Sequence, residues 1–255
     1  MTFNKDDVLA RFNAQVRRSV VAEPGIRVER TVRAVRTVGA WTCVIYSELG
    51  KKSADCEIAA QIDRFRQLGK QFEWKLYGHD QPADLAERLR RAGFKPELEE
   101  TFMVFDLSGE LPSEEPPPGT TVRQVGDGPG LADVTAVGAR AFGIDYSALN
   151  EMFLARLPLG TVTFYVAYDG TEPVSAARLE TPPDCEFAGL YGGGTAPSHR
   201  RRGIYRSLVG LRAREALRRG YRYLNVDAAQ ESLAILEKLG FVPLTTVRPW
   251  IWRPD

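Results

Sequence analysis

Residues 190–208 read LYGGGTAPSHRRRGIYRSL, and that order suits a loop built to hold an anion. A glycine-rich strand gives way at Pro197. Arg200, Arg201, Arg202 and Gly203 follow, and an amphipathic helix starts at Ile204. The N–H groups of a tight loop and of a helix's first turn lack intrahelical acceptors, and the helix dipole favours negative charge at that end. Gly203 lets the backbone come close to a phosphate that a side chain would hold away. The bland alternative is a solvated basic helix face, and some of the arginines fit it. Two carboxylates stand close by in sequence and could take a proton: Glu180 at the end of one predicted strand and Glu186 early on the next. Each also reads as an ordinary surface carboxylate. Cys185 has no evident histidine partner, so it reads as a plain strand thiol rather than an acyl carrier.

The elements that must position this loop follow from periodicity. A third strand over 185–195 runs into the loop, and a helix over 204–219 stops at Gly220. A strand over 223–226, a helix over 231–239 ended by Gly240, and a last strand near 246–252 complete the second half. Ahead of the loop come a helical region over 130–155 and strands over 161–168 and 173–181. The first half opens with a helix from Asn4 to about Arg18, with Asn4 as cap, Asp6 and Asp7 in the first turn and Arg17 and Arg18 in the last. Runs 27–38 and 41–48 around Gly39-Ala40 predict a hairpin. A helix over 55–68, a strand over 72–76, a helix over 82–92 and a strand over 101–107 follow.

Residues 108–120, SGELPSEEPPPGT, hold four prolines and read as an exposed linker. The expected division is therefore 1–108, a linker over 109–120, and 121–255. The halves echo each other. LRRAGFKP (Leu89–Pro96) parallels LEKLGFVP (Leu236–Pro243), and Gly69 and Gly93 find counterparts at Gly220 and Gly240. This predicts an internal duplication of an α+β unit, with a mixed, mostly antiparallel sheet flanked by helices in each copy.

Composition removes other classes. The chain has 255 residues, with 34 basic against 33 acidic and a net charge of +1, so no global field draws it to nucleic acid or to a membrane surface. Nine arginines between 200 and 222 could suggest a nucleic-acid reader, but a phosphate loop followed by a solvated helix face explains them better. No apolar run is long enough to span a bilayer. The amino terminus lacks a secretory pattern, and three cysteines in no pairing motif read as reduced thiols, which together predict a cytoplasmic protein. Two histidines leave little room for a metal site or a histidine-based triad.

On the loop Arg200-Arg201-Arg202-Gly203-Ile204-Tyr205, the strand order and the Gly240-Phe241 junction, residues 121–253 resemble the GNAT-type N-acetyltransferases. That resemblance implies acetyl-CoA as co-substrate, no metal, and transfer to a primary amine by direct attack on the thioester. It implies cofactor contacts at Gly193, Gly194 and Thr195 as well as Arg200 through Tyr205, with the general base among Glu180 and Glu186. Two positions depart from the family pattern. Tyr205 stands where the motif ends in Gly or Ala. Leu236 stands where the family has a thiolate-protonating tyrosine; Ser232 or Tyr205 could replace it, or water could serve. In the first half the loop position reads KKSADCE (Lys51–Glu57), without glycine and with Asp55 and Glu57 set against a phosphate. One acetyl-CoA site per chain is therefore expected, with a degenerate first copy. The expected acceptor is a small-molecule amine. The alternatives are a non-catalytic acyl-CoA-binding protein and a protein-modifying acetyltransferase.

Overall fold

The computed structural model describes residues 3–254. They form two compact units, Met1–Met103 with Asp227–Ala234 and Pro243–Asp255, and Val104–Val226 with Ile235–Val242. In chain order the first elements are α1 (Lys5–Phe12), β1 (Ile26–Arg30), β2 (Ala34–Gly39), β3 (Cys43–Ser47), α2 (Ala54–Gln67), β4 (Phe72–Tyr77), α3 (Leu85–Arg91), β5 (Lys95–Pro96) and β6 (Glu100–Asp106). After them come β7 (Thr120–Val125), α4 (Gly128–Phe142), α5 (Asn150–Arg156), β8 (Val162–Asp169), β9 (Glu172–Glu180), β10 (Phe187–Thr195), α6 (Ile204–Arg218), β11 (Tyr223–Ala228), α7 (Gln230–Lys238) and β12 (Val242–Trp252).

In unit 1, Asn4 caps α1 as expected, its side chain accepting from the amides of Asp6 and Asp7 at 3.0 and 3.2 Å. The helix does not stay α to Arg18: Asn13–Arg18 widens into a π turn. The strand expected over 27–38 is two strands. Thr31 Oγ1 accepts from the amides of Arg33 and Ala34 at 3.2 and 2.9 Å and turns the chain there. The strands are ordered β1-β2-β3-β4-β12. They pair antiparallel, except that β3 and β4 are parallel with α2 as the crossover between them. Ile58, Ile62 and Phe65 of α2 and Leu85 and Leu89 of α3 pack with Phe72, Trp74, Trp250 and Trp252 to form the core. Lengths of chain and compactness therefore divide differently: the C-terminal strand β12 lies in unit 1, paired with β4 from Val247↔Tyr77 to Trp252↔Phe72.

Unit 2 repeats the plan. Its strands are ordered β7-β8-β9-β10-β11. All pairs are antiparallel except β10 with β11, which are parallel with α6 as the crossover. The helical region expected over 130–155 is broken at Gly143, which takes φ +72° and ends α4 with a bond to Ala139 O at 2.8 Å. One face of β8 (Val162, Phe164, Val166, Tyr168) packs on Leu131, Val137 and Phe153. The proline-rich segment is not a free tether. A Cβ on Gly210 of α6 would lie 2.2 Å from Ser113 O, and Arg214 pairs with Glu114 at 2.8 Å, so Pro112–Glu114 lies strapped along α6.

Candidate functional site

In unit 2, β10 pairs with β11 over only three positions, Phe187↔Tyr223 to Gly189↔Asn225, yet runs on to Thr195. Beyond Gly189 the edge that faced β11 is open, while the other edge stays on β9, from Gly194↔Ala176 to Thr195↔Ser175. A bulge between Tyr191 and Gly194 interrupts that ladder, with Gly192 at φ +58°. Past Gly189 that edge of β10 is not paired with β11, and such an edge is one that an extended ligand can pair with.

The glycines of this stretch are packed on both faces. A Cβ on Gly193 would stand 2.9 Å from the Tyr205 ring, and one on Gly194 would stand 2.8 Å from both Ala141 Cβ and Phe142 Cζ. Gly194 O accepts from Ser175 Oγ at 2.8 Å, and Ser175 Oγ also meets Thr195 Oγ1 at 2.9 Å. The strand is therefore held by α4 on one side and α6 on the other.

The loop that follows ends at Gly203, which caps α6 at φ +90° with nothing within 4 Å of its would-be Cβ. Arg201 is also left-handed, at φ +62°. The first intrahelical bond runs from Ser207 N–H to Gly203 O at 3.2 Å, so the amides of Ile204, Tyr205 and Arg206 precede the ladder. A phosphate fits such a cradle: open space, oriented amides and the positive end of a 15-residue helix meet there.

The arginines do not act as one cluster. Arg200 turns back, donating Nε–H to Thr195 O at 3.2 Å and Nη2–H to Ala141 O at 3.0 Å, which ties the end of β10 to the end of α4. Arg202 pairs with Asp169 at 2.9 Å, and His199 lies 3.3 Å from the same carboxylate. The Arg202 hydrogen bond is the main reason that the Asp169 carboxyl lies below its ordinary range. Arg201 is exposed.

Glu180 closes β9 between two cations, with Arg178 Nε at 2.8 Å and Arg156 Nη1 at 3.1 Å. Burial pushes its carboxyl up, but Arg178 and Arg156 outweigh burial and hold it below the ordinary value. The Arg178 guanidinium lies 5.2 Å from the Tyr191 ring centroid and 5.5 Å from that of Phe153. Glu186 precedes β10, and its carbonyl accepts from the amides of Arg222 and Tyr223 at 3.0 and 2.9 Å. Leu236 is fully buried. Ser232 belongs to unit 1 and gives its hydroxyl to Ala229 O at 3.0 Å, just ahead of its helix.

Sequence reasoning counted Arg212 with the solvated helix face, and the structure buries it. It lies on the inner face of α6 among Leu208, Val209, Ala213 and Ala216, and is 1% exposed. The signal was there: a charged residue stands four positions after Leu208, inside the apolar stripe. Burial pulls its guanidinium down to about 10.

The equivalent gap in unit 1 is filled. There β3 and β4 pair only at Cys43↔Glu73 and Val44↔Trp74. Arg17 donates Nε–H to Ile45 O at 3.0 Å and both Nη groups to Asp80, whose carboxylate in turn accepts from the Tyr77 amide at 3.0 Å. Its guanidinium lies 4.1 Å from the Tyr77 ring centroid and 5.4 Å from that of Tyr46.

Residues 140–241 match the model of the Acetyltransferase (GNAT) family. No curated protein matches the chain at a significant level. Among solved structures, a GCN5-related N-acetyltransferase from Kribbella flavida is 17% identical with a TM-score of 0.69, covering 98% of this chain and 95% of that one. A GCN5-related N-acetyltransferase from Sphaerobacter thermophilus is 14% identical with a TM-score of 0.62, covering 98% and 86%. A tandem GNAT protein from the clavulanic acid biosynthesis pathway is 14% identical with a TM-score of 0.62, covering 92% and 86%. At these identities the likeness is one of fold, and it extends over the whole chain. The family match thus covers residues 140–241, and the likeness in fold extends beyond it. Among the described residues, no helix is long and apolar enough to cross a membrane.

Proposed function

We propose that this protein is an N-acetyltransferase that moves an acetyl group from acetyl-CoA to a primary amine of a small molecule, with one acetyl-CoA site per chain, in unit 2. The observation that carries this reading is the open edge of β10 from Leu190 to Thr195, leading into the Gly203 cradle at the start of α6. The filled gap in unit 1, where Arg17 and Asp80 stand between β3 and β4, supports a first copy that binds no acetyl-CoA.

Acetyl-CoA, as co-substrate, supplies an activated acetyl thioester. In this reading the amides of Gly203 to Arg206 hold the pyrophosphate, with Arg201 free to add charge. The β10 backbone around Gly193, Gly194 and Thr195 pairs with the pantetheine arm, and its amides polarise the thioester carbonyl. Arg200 and Arg202 keep the loop in shape through Thr195, Ala141 and Asp169 rather than by touching phosphate.

The acceptor side is the face of β10 that carries Tyr191, beside Arg178, Phe153 and Glu180. An ammonium ion has no lone pair, so the amine must lose a proton before it attacks. Glu180 stays ionised between Arg156 and Arg178, and orients a water that takes this proton. Glu186 is the second carboxylate for that role.

The buried Leu236 favours one rival reading, since a leucine cannot protonate a leaving thiolate. That rival is a non-catalytic acyl-CoA-binding protein. A panel of small primary amines, assayed for free CoA, tests the two. Release that depends on one amine class supports the transferase, and binding of acetyl-CoA with no release by any amine supports the rival.

A further inference from the structure

Arg212 is a cation in an apolar setting. It sits at a core position of α6, where a leucine or methionine would continue the apolar stripe without the penalty of burying a charge. Among the described residues no carboxylate pairs with it. Its Nε donates to Leu208 O at 2.9 Å and its Nη1 to Arg178 O at 3.2 Å, which fixes the guanidinium plane under β9 and β10. Nη2 is buried without any hydrogen-bond partner and stands 3.6 Å from the would-be Cβ of Gly193. Gly193 belongs to the bulge of β10, and with no side chain there the cation lies directly beneath the strand backbone. The charged and titratable groups that face Arg212 are Tyr205 from its own helix, Tyr165 from β8 and Arg178 from β9. No carboxylate is among them, and Arg178 adds like charge.

We propose that Arg212 is a positioning residue for acyl transfer: from beneath the β10 bulge its fixed charge stabilises the negative charge that develops on the thioester oxygen and then on the departing sulfur. The inference rests on reading the open edge of β10 as the acetyl-CoA site. It acts through the bulge amides, whose dipoles the buried cation polarises in a low-dielectric setting. The amine nitrogen bonds to the acyl carbon, the carbon–sulfur bond breaks, and the amine proton passes to the water held by Glu180. The sulfur leaves as a thiolate stabilised by Arg212 and takes its proton from solvent. A thiolate held this way needs no phenol at position 236, so one substitution answers the other: a charge at 212 stands in for the tyrosine absent at Leu236.

The test is the thiol titration of CoA bound to the intact protein, followed by thiolate ultraviolet absorbance. The bound thiol is expected about one pK unit below free CoA, about tenfold more thiolate at a given pH. Arg212→Leu should abolish the shift and Arg212→Lys should keep part of it, while CoA affinity changes by less than about threefold in both. With an accepted amine, kcat of Arg212→Leu should fall about a hundredfold with KM unchanged. A wild-type bound thiol that titrates as free CoA does would overturn the inference, and that arm holds even if Arg212→Leu fails to fold. Failure of CoA to bind at all would instead overturn the reading of the site, and the inference with it.

Discussion

Arg17 and Asp80 form a buried two-bonded pair, Nη1 to Oδ1 at 2.8 Å and Nη2 to Oδ2 at 2.7 Å, at the place where β3 and β4 stop pairing. Arg17 takes the carbonyl of Ile45 and Asp80 takes the amide of Tyr77, so the pair supplies the hydrogen bonds that the two strands no longer give each other. In unit 2 the pairing of β10 with β11 likewise ends early, at Gly189↔Asn225.

Removing one member of that pair leaves a buried charge alone. Asp80→Ala should destabilise the protein by about 3–5 kcal/mol in denaturant unfolding. Arg17→Met combined with Asp80→Leu should cost clearly less than the two single changes added together, because no ion is stranded. Simple additivity would mean that the pair does not act as a unit.

Gly203 tests the cradle. Its φ of +90° suits glycine, and the space around it is open, so Gly203→Val should keep the fold at a cost of about 1–3 kcal/mol while acetyl-CoA affinity drops tenfold or more. Circular dichroism and calorimetry on the same sample separate the two effects.

Gly210 tests the strap. A methyl group there would meet Ser113 O at 2.2 Å and Pro112 O at 2.6 Å, both of them backbone atoms that cannot step aside. Gly210→Ala should free the segment around Pro112–Glu114 and make it a site of rapid proteolysis, whereas the wild-type segment resists. Equal cleavage rates would contradict the packing described.

Glu100 gives a pH dependence. Burial first, then the nearby Asp227 and Glu73, push its carboxyl up to about 7 from an ordinary 4.5, with Lys75 opposing. The folded protein thus holds a proton that the unfolded chain releases. Its contribution to stability is full below about 4.5 and is lost as pH rises through about 7. Glu100→Gln should therefore gain on the order of 1–3 kcal/mol at mildly alkaline pH and nothing at acid pH. A variant with the same pH profile as the wild type would show that Glu100 ionises normally.

Much of this was legible in the residues. Caps such as Asn4 and stops such as Gly69 and Gly220 act locally, so helices α2 and α6 fall within a residue or two of their expected bounds. The GNAT resemblance carried by the loop after β10 agrees with the family match over residues 140–241. Where the reading missed, a long-range or side-chain bond decides. Thr31 breaks one strand in two, and Gly143 divides one helix. β12 joins β4 across more than 150 residues, a pairing that no local pattern announces. The arginine run could not reveal that Arg200 and Arg202 are spent on Ala141 and Asp169. Nor could spacing alone say that Glu180 is held between two arginines, or that Arg212 has no anion to meet.

Glu180→Gln should lower kcat about a hundredfold with little change in acetyl-CoA affinity, provided that thermal unfolding shows Arg156 still tolerated in place. Loss of affinity with kcat kept would move the proton-taking role to Glu186.

One titration weighs the central claim, a single acetyl-CoA site held by β10 and the Gly203 cradle. Isothermal calorimetry of the whole chain with acetyl-CoA should give one saturable site per chain, lost in Gly203→Val and unchanged in Arg17→Met/Asp80→Leu. Two sites per chain, or a single site that survives Gly203→Val intact, would contradict it.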